Sequence, residues 1–105
     1  EKILKMAYKI IWSAEADKTF EANIKYLEDN WSENEIINFV NKSFEIIDVI
    51  SKTPLLFKQS KTSKRIRKAL IVKQISLYYR INNSKNTIEL ITFWNNFQNP
   101  KKLKL

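Results

Sequence analysis

Residues 66–94 read IRKALIVKQISLYYRINNSKNTIELITFW, and this stretch decides the fold. Three runs within it are rich in β-branched and aromatic residues, which favour strands: residues 66–72, 75–81 and 87–94. Lys73-Gln74 forms a tight turn without glycine, and residues 82–86 supply the turn-forming residues of a looser connection. The pattern predicts a three-strand antiparallel meander.

Two helices are predicted before the meander. Ser13 is placed to cap the first helix, and apolar residues then recur along one helical face: Ala16, Phe20, Ile24, Leu27 and Trp31. Ser32 and Glu35 have the spacing of a capping box, in which each side chain binds the other's free backbone N–H, and Pro54 ends the second helix. Its expected buried stripe comprises Ile36 or Ile37, Val40, Phe44, Ile47 and Ile50.

The order of the elements predicts an α+β fold. Residues 7–12, AYKIIW, favour a strand before the helices, and residues 55–63 have the composition of a loop. Segregated helices and consecutive strands indicate a two-helix antiparallel hairpin packed on an antiparallel sheet that the meander completes. We expect residues 1–105 to form a single domain with a basic tail at 99–105.

Several functional classes are excluded by composition. The chain has no cysteine and no histidine, so it lacks disulfides, zinc–thiolate sites and the usual metal and proton-transfer side chain. It also has no glycine, which excludes glycine-dependent phosphate loops. No apolar run is long enough to span a bilayer, and no signal-peptide pattern opens the chain. We therefore expect a cytoplasmic protein that uses no metal and no cofactor.

Positive charge is concentrated in the second half of the chain. Residues 1–57 have a balance of −3, whereas residues 58–105 have a balance of +11 and one acid, Glu89; together they give the net charge of +8. Such asymmetry attracts RNA, DNA or an acidic protein by long-range steering. A solvated basic face kept for solubility is the alternative interpretation.

The candidate contact residues are basic and aromatic. The densest basic cluster comprises Lys61, Lys64, Arg65, Arg67 and Lys68. Tyr78 and Arg80 lie two residues apart, so they share the face turned away from the helices, and we expect Arg67 and Arg80 to be exposed. Arginine beside tyrosine suits phosphate contact and base stacking, or the carboxylates of a protein partner, and an ordinary exposed cross-strand pair is the alternative.

Other aromatic residues are expected in the core. Core spacing is shown by Trp12, Phe20, Trp31 and Phe44. Phe93 and Trp94 are adjacent on the last strand, so one of them faces away from the helices; Trp94 is a contact candidate if it is the outward one.

The composition still permits one type of enzymatic reaction, which is phosphoryl transfer catalysed by positively charged side chains. A lysine of lowered pKa, or Glu89, could take a proton from a ribose 2′-hydroxyl while arginines stabilise the charged transition state.

Several short stretches of this sequence match, in the same order, stretches found in one known protein family. These are YKIIWS (8–13) with Ala16, IKYL (24–27) with Asn30-Trp31, Pro54, IRKALI (66–71), LYYRI (77–81), IELI (88–91), FWNN (93–96) and NPKKL (99–103). Over nearly the whole chain they resemble toxins of the RelE/ParE family of bacterial type II toxin–antitoxin systems. The resemblance implies a helical hairpin on an antiparallel sheet and an acidic or amphipathic antitoxin whose C-terminal segment wraps the toxin.

The resemblance also implies a target. RelE-like members cleave mRNA in the ribosomal A site with basic residues and often a tyrosine, whereas ParE-like members poison DNA gyrase. The best-matched catalytic positions are Arg67 and Arg80, followed by Lys64 and Tyr78. Nucleic-acid or partner contact is expected at Lys61, Arg65, Lys68, Lys73, Trp94, Lys101 and Lys102.

Two positions depart from the branch of the family that this chain resembles. Phe97 stands where an arginine is usual, and Gln74 stands where a histidine is frequent. These departures motivate the alternative of a decayed toxin, whereas the resemblance as a whole implies a toxin that inhibits translation by ribosome-dependent mRNA cleavage and is neutralised by a cognate antitoxin. A gyrase poison and a non-catalytic binding module with a decayed toxin fold are the alternatives.

Overall fold

The predicted elements are present in a computed structural model, which describes residues 7–105. In chain order they are β1 (Lys9–Trp12), α1 (Ala14–Asn30), α2 (Glu33–Lys52), β2 (Lys58–Gln59), β3 (Ile66–Val72), β4 (Ile75–Asn82) and β5 (Thr87–Asn95), followed by a 3₁₀ turn at Pro100–Lys102. No helix within this described range is long and apolar enough to cross a membrane.

The five strands form one mixed sheet in the order β1-β5-β4-β3-β2. The α+β class, with a helical hairpin on a sheet completed by the meander, is confirmed. One detail differs, because β1 pairs in parallel with β5 while all other neighbours are antiparallel. Both helices and three strands separate β1 from β5 along the chain, so no tight turn forces this pair to be antiparallel.

The helices cover one face of the sheet and build the core there. From the sheet, the core takes Ala69, Ile71, Ile75, Leu77, Tyr79, Ile88, Leu90 and Phe93. From the helices it takes Ala16, Leu27, Phe39, Ile47 and Ile50. Strand side chains alternate between faces, so the residues between these strand positions point away from the helices. Phe93 is buried and Trp94 is the outward residue of that pair.

Along the end of β5, side chains of α1 make the backbone hydrogen bonds that a neighbouring strand would otherwise make. β1 pairs only with residues 87–90 of β5. Beyond that point the Thr19 hydroxyl accepts a hydrogen bond from the Phe93 N–H at 2.9 Å, and the Asn23 amide donates to the Phe93 carbonyl at 2.9 Å. Ser13 caps α1 as predicted, accepting from the Ala16 N–H, and donates its own hydroxyl to the Ile91 carbonyl. The helix therefore satisfies a strand edge that would otherwise lack partners.

The buried stripe of α2 differs from the prediction. It follows Phe39, Ser43, Ile47 and Ile50, whereas Phe44 is 54% exposed. Ser43 and Phe44 are about 100° apart around a helix of 3.6 residues per turn, so burying the serine turns the phenylalanine toward the rim. There the Phe44 ring lies 6.2 Å from that of Trp12 and 6.1 Å from that of Phe20.

The turn between the helices also differs from the prediction. Trp31 ends α1 as its C-cap and is 40% exposed, so it does not join the core. The capping box is incomplete, because Ser32 donates its hydroxyl to the Glu35 carboxylate at 2.6 Å and makes no side-chain bond to the helix backbone. α2 ends at Lys52, two residues before Pro54, as expected.

The segment predicted as loop contains the short strand β2. Lys58 pairs with Lys68, and Gln59 pairs with Arg67. A two-residue strand without an apolar side chain leaves no periodic signal in the sequence. Its pairing with β3 could therefore be found only from the structure.

Candidate functional site

The face of the sheet turned away from the helices is the candidate site. Three cross-strand rows run over it from β3 through β4 to β5: Leu70, Ser76 and Trp94; Lys68, Tyr78 and Thr92; and Ile66, Arg80 and Glu89. Its acid, its cations and its aromatic side chains are the groups that phosphoryl chemistry and nucleic-acid contact require.

Arg80 and Glu89 form an ion pair at one end of this face. They lie directly opposite each other on β4 and β5, and their side chains are 50% and 40% exposed. With Lys85 they line a shallow pocket of about 270 Å³, whose other walls are Ile11, Asn82 and Thr87. The pocket thus brings a carboxylate, a guanidinium and an ammonium group together.

Tyr78 shares this face with Arg80, as predicted, but it is buried. Its exposed fraction is 6%, and burial raises the pKa of its hydroxyl. The Lys68 ammonium lies 5.9 Å from the centre of its ring. Tyr78 therefore offers no free face for stacking a base, and its contact is with Lys68.

Arg67 lies on the opposite face of the sheet, and the prediction that it is exposed is wrong. It pairs with Tyr79, a core residue, and its guanidinium donates to the Phe57 carbonyl at 2.7 Å. The Tyr79 hydroxyl donates to the Pro54 carbonyl at 2.7 Å. Burial raises the pKa of Tyr79 to about 12, against a lowering by the Arg67 charge. These two side chains hold the segment that links α2 to β2, so Arg67 and Arg80 do not converge on one site.

The remaining cations of this region gather along the β2 side of the sheet. We call this group the basic edge; it comprises Lys58, Lys61, Lys64, Arg65 and Lys68, all of them exposed. Within residues 7–105 no carboxylate lies within ion-pair distance of any of the five. The turn at 60–65 leads into Ile66, which lies directly opposite Arg80, so the basic edge adjoins the Arg80–Glu89 pair.

Four other predicted contact residues lie apart from this group. Trp94 and Lys102 line a cleft of about 280 Å³ between α1 and the tail, and Lys101 lies exposed in the adjacent 3₁₀ turn. Lys73 is exposed in the β3–β4 turn. The predicted contacts therefore divide between the basic edge and the far end of the sheet.

The two positions that depart from the resembled pattern differ in exposure. Phe97 is 60% exposed just after β5. Gln74 is buried, and its carbonyl accepts a hydrogen bond from the Asn96 N–H at 2.7 Å. Gln74 thus helps to hold the chain that follows β5, while Phe97 presents an apolar ring to solvent.

Two cations of the site were missed by sequence reasoning. Lys58 lies in a segment whose composition predicts a loop, and Lys85 lies in the turn between two predicted strands. Lys85 could have been placed near Glu89 only by pairing Ile81 with Ile88, which is the register that β4 and β5 adopt. Residues 7–105 contain no group of three or more Asp or Glu side chains that could hold a metal ion.

Comparison with known proteins identifies the fold. No protein-family model matches the chain, and no curated protein matches it significantly. Among solved structures, a chain of the toxin–antitoxin complex RelBE2 from Mycobacterium tuberculosis matches with 14% identity and a TM-score of 0.61, over 90% of this chain and 98% of that one. A chain of the ParDE system of P. aeruginosa matches with 11% identity and a TM-score of 0.68, over 85% and 96%. YoeB from Staphylococcus aureus, solved as a dimer, matches with 18% identity and a TM-score of 0.60, over 87% and 99%.

The chain has a RelE/ParE-like toxin fold. At these identities the likeness concerns the backbone arrangement, and almost the full length of each matched chain takes part in it. The resemblance inferred from short sequence pieces is therefore confirmed at the level of the fold.

Proposed function

We propose that this protein is the toxin of a type II toxin–antitoxin system, that it acts in the cytoplasm by cleaving ribosome-bound mRNA, and that a cognate antitoxin neutralises it. The observation that carries the proposal is the position of the Arg80–Glu89 pair beside the basic edge, on one face of a RelE/ParE-like fold. Cations that bind a phosphate backbone thus adjoin a carboxylate that can take a proton.

The proposed chemistry needs no metal. The Glu89 carboxylate accepts the proton of a ribose 2′-hydroxyl while the 2′-oxygen attacks the adjacent phosphorus. Arg80 stabilises the negative charge that develops on the phosphate oxygens, and the Lys85 ammonium donates a proton to the departing 5′-oxygen. The products are one fragment ending in a 2′,3′-cyclic phosphate and one beginning with a 5′-hydroxyl.

The other predicted residues take supporting roles in this proposal. Lys61, Lys64 and Arg65 bind flanking phosphates, since they are exposed and have no acidic partner among the described residues. Tyr78 orients Lys68 through the contact with its ring. Arg67 positions the segment that carries Lys58 and does not touch the substrate.

Induced expression without antitoxin tests the growth-arrest claim. We expect arrest with the wild type, relief when a cognate antitoxin is co-expressed, and loss of arrest with Glu89→Gln or Arg80→Ala. Lys18→Gln is the matched control, because it removes one exposed charge from α1, far in sequence from the proposed site. Normal growth at a good level of folded wild-type protein would refute the proposal.

A translating extract tests the target. Shortened mRNA with 5′-hydroxyl ends, absent with Glu89→Gln, is the expected result. The rival is a gyrase poison, and it is favoured by Phe97 and Leu70, two exposed apolar side chains that suit a protein target better than RNA. Intact mRNA together with cleaved plasmid in the presence of purified gyrase would select that rival.

A further inference from the structure

Two lysines of the basic edge face each other across a pair of strands. Lys58 of β2 and Lys68 of β3 are direct partners in the antiparallel register, and both are exposed. Residues directly opposite in such a pair project to the same face with Cβ atoms about 4.5–5.5 Å apart. Like charges in this arrangement destabilise the sheet. The fold therefore contains a local repulsion that a neutral residue at either position would remove.

No described acid relieves this repulsion. Glu89 is the one acid between residues 58 and 105, and it pairs with Arg80. The other ion pairs within residues 7–105 lie inside α1 and α2. The two ammonium groups are thus left for something outside the chain to neutralise.

The backbone around the two lysines is held firmly in place. Arg67 donates to the Phe57 carbonyl next to Lys58, and the Ser60 N–H donates to the Ile66 carbonyl at 2.6 Å. The Gln59 amide donates to the Lys64 carbonyl at 3.0 Å. On the other strand, Lys68 rests against the buried ring of Tyr78. These contacts keep the cations together instead of letting β2 separate from β3.

We propose that Lys58 and Lys68 form an anion site that one phosphodiester group of a nucleic-acid strand bridges, with the turn at 60–65 binding the next phosphates. The inference rests on the proposed function for the identity of that strand as RNA. Residues 58–65 read KQSKTSKR and contain no apolar side chain; the exposed Leu56 and Leu70 lie outside this stretch. A protein partner needs apolar or aromatic anchors at the centre of its interface, whereas a phosphate backbone is bound by cations and polar groups alone.

Opposite effects on stability and binding distinguish this site from an ordinary basic surface. Without ligand, Lys58→Gln or Lys68→Gln removes the repulsion, so the Tm at low salt rises by about 1–4 °C for a domain of this size. The same substitutions weaken binding of a strand. Added salt screens exposed charges, so it should stabilise the wild type more than either variant.

The experiment uses a fluorescent oligouridylate of about 12 nucleotides with 2′-O-methyl groups, which cannot be cleaved through the 2′-oxygen. Binding is measured by anisotropy between about 50 and 200 mM salt for the wild type, Lys58→Gln, Lys68→Gln and the double variant. We expect the double variant to lower the slope of log K against log salt by about 0.7, the value for one phosphate. Each single variant should lose less than that, because the remaining lysine still contacts the shared phosphate.

Lys104→Gln is the matched control, since it removes one exposed cation of the basic half outside the edge. An unchanged slope in the double variant, or a lower Tm in both single variants, would overturn the site. Stronger competition by an acidic peptide than by an unlabelled strand would overturn the phosphodiester assignment in favour of a protein partner. Wild-type binding with the expected slopes but without mRNA cleavage would uphold this site while the proposed function fails.

Discussion

At the scale of single residues, two arginines of similar sequence context have different roles. Arg67 donates to a backbone carbonyl on the helix side of the sheet, and Arg80 pairs with Glu89 on the outer face. The sequence could not separate them, because IRKALIV has apolar residues at both alternating sets of positions. Only the pairing of Arg67 with the core residue Tyr79 assigns its face.

Substitution should distinguish the two arginines. We expect Arg67→Ala to lower the free energy of unfolding by about 1.5–3 kcal/mol, the typical loss for a hydrogen bond to a charged group. Arg80→Ala should change it by less than about 1 kcal/mol, because its ion pair is exposed. Urea unfolding measures both values. Equal losses would contradict the assignment of Arg67 to the segment that follows α2.

Tyr79 gives the same segment a pH-dependent stability. Its pKa is raised from 10.0 to about 12, so the folded state holds the proton more tightly than the unfolded state. The contribution of the protonated Tyr79 hydroxyl to the free energy of unfolding is therefore complete below about pH 10 and is lost as the pH rises toward 12. Tyr79→Phe should lose about 1–3 kcal/mol near neutral pH, because the Pro54 carbonyl is left without its donor. The difference between wild type and variant should shrink above pH 10, and a difference independent of pH would refute this explanation.

At the scale of elements, α2 shows how a small polar residue on the buried face leads to a wrong prediction of which face of the helix is buried. Phe39, Ser43, Ile47 and Ile50 face the sheet, but a serine in the stripe made the register through Phe44 the better apolar pattern. The Ser43 hydroxyl is buried without a hydrogen-bond partner among the described residues. The serine therefore fits the buried stripe by its small volume and not through a polar contact.

Three substitutions in α2 test this register. We expect Phe39→Ala to cost about 3–5 kcal/mol, as for other buried phenylalanines. Phe44→Ala should cost far less, since its ring is 54% exposed. Ser43→Ala should be neutral or stabilising, because it removes an unsatisfied buried hydroxyl. Thermal and urea unfolding give the order, and a larger loss for Phe44→Ala than for Phe39→Ala would restore the register through Phe44.

The strands and helices were predictable where several signals agreed. Dense β-branched runs defined β3, β4 and β5, and the Ser13 cap defined the start of α1. The candidate site was predicted less well, because its faces depend on register. A β-bulge between Tyr78 and Tyr79 shifts the pairing with β5, and β2 has too few residues to show a period. The sequence predicts four members of the basic edge as a cluster, but it adds Arg67 to them and omits Lys58, so it does not predict the opposed lysine pair.

At the scale of the whole molecule, charge divides the protein into two unequal parts. The segment through Phe57 has a balance of −3, and the sheet-forming remainder has a balance of +11. Under the proposed function, a phosphate backbone and an acidic antitoxin would both be attracted to the second part by the same long-range field. On that proposal, the antitoxin would neutralise the protein by occupying these cations, since one set of exposed cations cannot bind both partners at once.

Competition between the antitoxin and an RNA strand is the expected consequence. Titrating the cognate antitoxin into a complex of the toxin with the uncleavable oligouridylate should lower the anisotropy to the value of the free strand. The antitoxin should also raise the Tm of the toxin in a concentration-dependent way, because it binds the folded state. Lys58→Gln combined with Lys68→Gln should weaken binding of the strand more than binding of the antitoxin, because a protein partner generally adds apolar contacts at the centre of its interface. A stable ternary complex, with anisotropy above that of the toxin–strand complex, would show that the two partners use separate surfaces and that neutralisation works by another route.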